Sequence, residues 1–209
     1  TENWERVTRK IGRWVDFEND YKTMDIDFME SVWWVFKNLW ENDLIYKDYK
    51  VLPYSWSAAT PLSNFEANMD YRDVEDPSIF FTLDAREDFN KIKKSDKFLV
   101  WTTTPWCIPG NLAIAIGNEI NYLRIQIDND IYWIAEDLIT ELKDYEYDVL
   151  DESLGKDMIG AEYIPAYSEY ENEYANGAFR LIHSDDTNTE SGSGLVSQAP
   201  AYGESDFYA

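Results

Sequence analysis

The chain has 209 residues, 41 acidic against 18 basic, for a net charge of −23. This argues against a free-standing nucleic-acid binder, which needs a basic face, though not against a pocket that takes only the tip of a nucleic acid held elsewhere. A hydrophobic share of 44% with 16% aromatics supports a packed core and argues against disorder. The single cysteine, Cys107, excludes an internal disulfide and a multi-cysteine zinc site, and fits a reducing cytoplasm. No apolar run approaches the ~20 residues of a membrane span, and TENWERVTRK lacks a signal-peptide core.

In chain order, Asn3–Trp14 reads as a short helix with Val7 and Ile11 on one face. The strongest helix signal is Asp27–Asn42: Asp27 is placed to cap it, Glu30 completes a capping-box pattern, and Phe28, Val32, Val35, Phe36 and Leu39 follow helical spacing. Trp33, Trp34 and Trp40 widen the apolar face, so this helix is expected to be buried on more than one side. Lys50–Ser55 reads as a strand and Ser57–Phe65 as a loop.

Near residue 66 the texture changes, dividing a mostly helical segment (1–66) from a β-rich domain (67–209). Strands are expected at Ile79–Leu83, Phe98–Thr103, Leu112–Ile116, Tyr122–Asp128, Ile131–Ile134, Phe179–His183 and Gly194–Ser197. Asn129-Asp130 reads as a hairpin turn, Ala135–Lys143 as a helix, and Tyr167–Asn176 as a loop.

Two segments carry polar groups in a suggestive pattern: Trp101–Asn111, WTTTPWCIPGN, and Gly192–Asp206, GSGLVSQAPAYGESD. Thr102, Thr103 and Thr104 alternate across a strand end that Pro105 terminates, leaving hydroxyls and backbone groups for a polar substrate or for an ordinary strand end. Gly192-Ser193-Gly194 lacks the following helix of a phosphate cradle and reads as a tight lead into a strand. Asp206 either caps a helix or binds a cationic amine. His183, the only histidine, reads as structural or surface, because Ser-His-Asp chemistry needs a convergence that Ser184-Asp185-Asp186 does not by itself supply. Asp185, Asp186 and Glu190 lack calcium-loop spacing.

Four segments in order, GRWVDFENDYKTMDIDFMESVWW, KVLPYSWSAATPLSNFE, WTTTPWCIPGNLAIAI and GSGLVSQAPAYGESDF, resemble isoleucyl-tRNA synthetase. The first two resemble the catalytic domain just before its large insertion and the start of that insertion. The last two resemble the editing motifs. The resemblance implies an α+β fold: a β-barrel-like editing domain decorated by helices, preceded by a helical segment of a Rossmann-type catalytic domain. It implies hydrolysis of valyl-tRNA(Ile), since one missing methylene discriminates poorly in a binding pocket, a limit for which isoleucine and valine are a known example.

By that resemblance, Thr102, Thr103 and Thr104 line the catalytic pocket and Asp206 holds the substrate's α-ammonium group. Asn111, Trp106, Ser197, Ala199 and Pro200 contact the substrate. The implied partners are the acceptor end of tRNA(Ile) carrying valine and the rest of the synthetase, with no membrane. The implied chemistry needs no metal or cofactor. ATP and magnesium serve only the aminoacylation reaction, whose HIGH- and KMSKS-type motifs are missing here. Two positions depart from the family pattern: Ser197 stands where histidine is usual, and Cys107 where threonine is common. Serine cannot take up a proton near neutral pH. The alternative function is therefore an editing-like domain with weakened or lost hydrolysis, acting as an aminoacyl-tRNA-binding or structural insertion.

Overall fold

A computed structural model describes residues 2–75 and 77–209. They fall into two units, Thr1–Tyr49 and Lys50–Ala209, and the change of texture near residue 66 lies inside the second.

The first unit holds α1 (Glu2–Lys10) and α2 (Ile26–Glu41). α1 stops short of Trp14, closed by Gly12 N–H on the Arg9 carbonyl at 3.1 Å. α2 begins before Asp27: its N-cap is Asp25, without a side-chain cap bond, so Asp27 and Glu30 do not form a capping box. Asp27 instead lies in the first turn, where the helix dipole favours a carboxylate. The expected burial of α2 is not met. It contains no buried residue, and Trp33, Trp34 and Trp40 are 67%, 66% and 60% exposed. Two helices and their connections supply too little surface to enclose so wide an apolar face.

The second unit opens with a two-stranded ribbon, β1 (Tyr54–Ser55) against β2 (Thr60–Pro61), and α3 (Asn64–Ala67). The expected strand at Lys50–Ser55 thus shrinks to its last two residues. The expected loop at Ser57–Phe65 contains β2 and the start of a true capping box: Ser63 Oγ accepts from Glu66 N–H at 3.2 Å while Glu66 accepts from Ser63 N–H at 2.9 Å.

The main sheet comprises β3 (Ile79–Asp84), β4 (Asp96–Thr102), β5 (Ala113–Ile116), β6 (Asn121–Ile127), β7 (Asp130–Ala135), β8 (Asp148–Leu154), β9 (Arg180–His183) and β10 (Val196–Gln198). It is a curled half-barrel with strand order β8-β6-β7-β4-β10-β5-β9, and β3 pairs with β4 off this path. The fold is α+β, as expected. Seven of the strands follow the expected positions. β8, DVLDESL, lies outside the expected strands. The β6–β7 hairpin turns on Asp128-Asn129, one residue earlier than read, with Asp128 at φ +53°. The expected helix after β7 is a 3-10 helix, Glu136–Leu142, and another (Glu171–Asn176) ends the expected loop at Tyr167–Asn176.

The core lies on one face of this sheet, with Trp133, Tyr122, Tyr163, Phe98 and Phe179 fully buried. Each such side chain contributes about 1.5–3 kcal/mol through burial. The other face carries a smaller cluster of Leu99, Leu123, Ile125, Ile134 and Leu142. Asp96, fully buried at the start of β4, is paid for by four donors: Arg124 Nε and Nη2 at 2.7 Å each, Trp133 Nε1 at 3.0 Å and the Lys93 N–H at 2.9 Å. Among the described residues no helix is long and apolar enough to cross a membrane.

Candidate functional site

β4 carries the threonine segment to its end. β3 runs along one edge of β4. The other edge pairs with β7 over Asp96–Phe98 and then with β10, parallel, at Trp101–Val196. β10 is in turn antiparallel to β5, with Ser197 opposite Ile114. The three-residue strand β10 therefore joins the two polar segments in one sheet.

Thr102 is buried and shares the core-facing side of β4 with Phe98 and Val100. Its Oγ1 accepts the Thr104 N–H at 3.1 Å and lies 3.3 Å from Thr104 Oγ1. The hydroxyls of Thr102 and Thr104 are thus coupled across a tight turn, while Thr103 is exposed. A 3-10 helix, Pro105–Gly110, follows, and Trp106 on it is 63% exposed.

Asn111 is buried beyond that helix. Its Nδ2 donates to the Ala113 carbonyl at 2.8 Å and to Ser197 Oγ at 3.0 Å, and its Oδ1 accepts from the Tyr163 hydroxyl at 2.5 Å. It ties the start of β5 to β10. Ser197 is half-buried.

Gly192 and Gly194 lead into β10 at φ +82° and +73°, a region costly for other residues. A Cβ on Gly194 would sit 2.4 Å from Ala135 Cβ. The motif is a close-packed lead into the strand, as expected: Ala135 N–H donates to the Ser193 carbonyl at 2.9 Å and Trp101 N–H to the Leu195 carbonyl at 3.0 Å.

After β10, Ala199 is buried and Pro200 half-buried, and the chain turns into α4 (Glu204–Tyr208). Asp206 does not cap this helix, whose N-cap is Gly203. Its Oδ2 accepts the Ala199 N–H at 2.8 Å, closing the Pro-Ala-Tyr-Gly turn, and Oδ1 has Ser205 Oγ at 3.4 Å. The fold-back sets the Asp206 carboxyl against Gly203, where a Cβ would come within 2.9 Å of its carboxyl carbon and displace it. The Tyr202 ring packs on Gly110, linking this turn to the end of the threonine segment.

His183 points elsewhere. Nδ1 lies 3.3 Å from the Ile116 carbonyl and Nε2 2.9 Å from Asp185 Oδ1, while Ser184 Oγ accepts the Asp186 N–H. Both ring nitrogens face acceptors, and neither activates Ser184.

The structure thus brings Thr102 to Thr104, Asn111 to Ser197, and Asp206 to Ala199, and joins these pairs through β10. Trp106 and Thr103 are directed toward solvent. Tyr163, the hydrogen-bond partner of Asn111, has no signal in the sequence, since a lone tyrosine in GAEYIP carries no motif.

The family description "tRNA synthetases class I (I, L, M and V)" matches residues 1–184, and the chain belongs to that family. Relatives that match it almost end to end are an isoleucine–tRNA ligase of Bdellovibrio bacteriovorus and a probable cytoplasmic isoleucine–tRNA ligase of Dictyostelium discoideum. The first is 44% identical across 99% of this chain and 20% of its own length. The second is 42% identical across 98% of this chain and 19% of its own length. The chain therefore spans about a fifth of the curated relatives it matches. A crystal structure described as GlLeuRS-CP1 shares the fold, with a TM-score of 0.52 at 15% identity over 63% of this chain and 58% of its own.

Proposed function

We propose that Lys50–Ala209 forms the editing domain of an isoleucyl-tRNA synthetase and hydrolyses valyl-tRNA(Ile). The observation that carries this reading is the joining of the threonine segment, Asn111, Ser197 and the Asp206 turn through β10. The kinship with isoleucine–tRNA ligases supports it.

In this reading Asp206 anchors the α-ammonium group of the esterified valine. A carboxylate accepts several hydrogen bonds, so beside the Ala199 N–H on Oδ2 and the long Ser205 Oγ contact on Oδ1 it keeps lone pairs for a charge-assisted contact. Water adds to the ester carbonyl, the bond from carbonyl carbon to ribose oxygen breaks, and the ribose oxygen takes the proton. Thr102 and Thr104 supply hydroxyls beside the reacting ester. Positioning of this kind accounts for much of a hydrolytic rate. The reaction uses water alone, and ATP and magnesium belong to the aminoacylation step. The partners are the acceptor end of tRNA(Ile) carrying valine and the remaining synthetase, which would grip the tRNA and relieve this acidic chain of that task. The setting is the cytoplasm.

The test is hydrolysis of valyl-tRNA(Ile) by a full-length protein carrying these residues, beside Asp206→Ala. Equal rates would remove Asp206 from the site. The second reading, a domain with weakened hydrolysis, is favoured by Ser197. A large gain in rate from Ser197→His supports it, and no gain counts against it.

A further inference from the structure

We propose that Tyr163, outside both polar segments, positions Ser197 through Asn111, holding the Ser197 hydroxyl as a hydrogen-bond donor to an acceptor atom of the bound aminoacyl-adenosine. The proposal rests on the editing function proposed above and specifies how position 197 works with serine.

The direction of each bond in the chain Tyr163–Asn111–Ser197 is fixed by its neighbours. The Tyr163 hydroxyl lies 2.5 Å from Asn111 Oδ1. Burial pushes the ionisation of this phenol well above its ordinary range, so it keeps its proton and donates. The Asn111 amide cannot be turned over. Its Nδ2 faces the Ala113 carbonyl at 2.8 Å and, more weakly, the Gln198 carbonyl at 3.5 Å. A flipped amide would aim an oxygen at two oxygens and leave its nitrogen against the tyrosine. Nδ2 therefore donates to Ser197 Oγ, at 3.0 Å. With that lone pair occupied, the serine proton points away from Asn111. Among the described residues Ser197 Oγ makes no other hydrogen bond, and the residue is half-buried on the strand that joins the site. The proton is left for a ligand acceptor.

Tyr163 is built to hold this position. Its N–H donates to the Phe179 carbonyl at 3.0 Å, its carbonyl accepts from the Tyr174 hydroxyl at 2.5 Å, and its ring meets the Phe179 ring edge-on, with centroids 6.0 Å apart. The ring is fully buried, so Tyr163→Phe removes the relay's first hydroxyl and keeps the packing.

The experiment is a double-mutant cycle in a full-length protein carrying these residues, using Tyr163→Phe, Ser197→Ala and the pair, with kcat and KM for valyl-tRNA(Ile) hydrolysis and thermal melts of each. Each single variant is expected to lower kcat/KM about fivefold to tenfold, the worth of one hydrogen bond. The pair is expected to be no slower than Ser197→Ala alone. Ser197→Thr, which keeps an O–H, should restore most of the rate. A Tyr163→Phe loss of equal size in both backgrounds overturns the relay while leaving the editing function standing. A wild-type protein that hydrolyses no valyl-tRNA overturns both. If Tyr163→Phe does not fold, threonine at 197 performing as poorly as alanine overturns the relay.

Discussion

Asp206 Oδ2 accepts the backbone N–H of Ala199 at 2.8 Å. The carboxylate proposed to anchor a substrate amine is thus also the clasp of the turn that follows β10. The two roles separate by substitution. Asp206→Asn can still accept from Ala199 through its amide oxygen but loses the charge. Asp206→Ala loses both. Asparagine is expected to keep stability within about 1 kcal/mol, the scale of one neutral hydrogen bond, yet to cut valyl-tRNA hydrolysis as severely as alanine does. Parallel melts and deacylation assays read the two effects, and an active asparagine variant would reduce Asp206 to the clasp alone.

Gly194→Ala brings two penalties, the φ of +73° and the 2.4 Å approach to Ala135 Cβ. The backbone part is about 1–3 kcal/mol. Adding Ala135→Gly relieves only the contact, so the double variant should recover part of the stability and no more. Denaturant melts of the three proteins measure this, and full recovery would mean the backbone at 194 is not strained.

Arg124 lies against Asp96, which has no exposure to solvent. Truncating Arg124 to alanine leaves a buried carboxylate short of two of its donors and should cost about 3–5 kcal/mol. Asp96→Asn with arginine retained should also destabilise, because the guanidinium then meets a neutral amide. Chemical denaturation distinguishes this from a surface ion pair, whose loss would cost below about 1 kcal/mol.

Alkaline pH should destabilise the fold through its buried phenols. Burial raises the ionisation of Tyr122 and Tyr163 above the ordinary value of 10.0. Above that pH the unfolded chain releases these protons while the folded protein keeps them, so the unfolded state binds fewer protons and stability falls as pH rises. Urea melts from roughly pH 9 to 11 should show the decline starting near the unfolded tyrosine value. Tyr122→Phe should flatten it. An unchanged slope for Tyr122→Phe and Tyr163→Phe would place the loss elsewhere.

The strands that flank the core were legible because their side chains alternate or run apolar between turn residues, as in FLVWT and AIAI. β8 was not, because DVLDESL is acidic and largely exposed along its length. It is an edge strand, and edge strands carry charge as protection against further pairing. The tryptophans of α2 misled for the opposite reason: composition reports what a face is suited to bury, not whether its own unit supplies the cover. At the candidate site, the threonine and aspartate segments stand out in the sequence as motifs. The role of Asn111 as a tie between strands does not, since it depends on Tyr163 and Ser197, brought together only by the sheet.

β10 follows every other described strand in the sequence, yet sits in the interior of the sheet, between β4 and β5. The pairs on either side can form from earlier residues: β3, β4, β6, β7 and β8 as one set, β5 and β9 as the other. Among the named strands only the three-residue β10 pairs with both sets, while Glu162 and Tyr163 bridge Arg180 and Ala85 outside them, and contacts of such long sequence separation are slow to close. The closure of the sheet thus rests on residues late in the sequence: without Val196–Gln198, the end of β4 and Asn111 lose the strand that joins them.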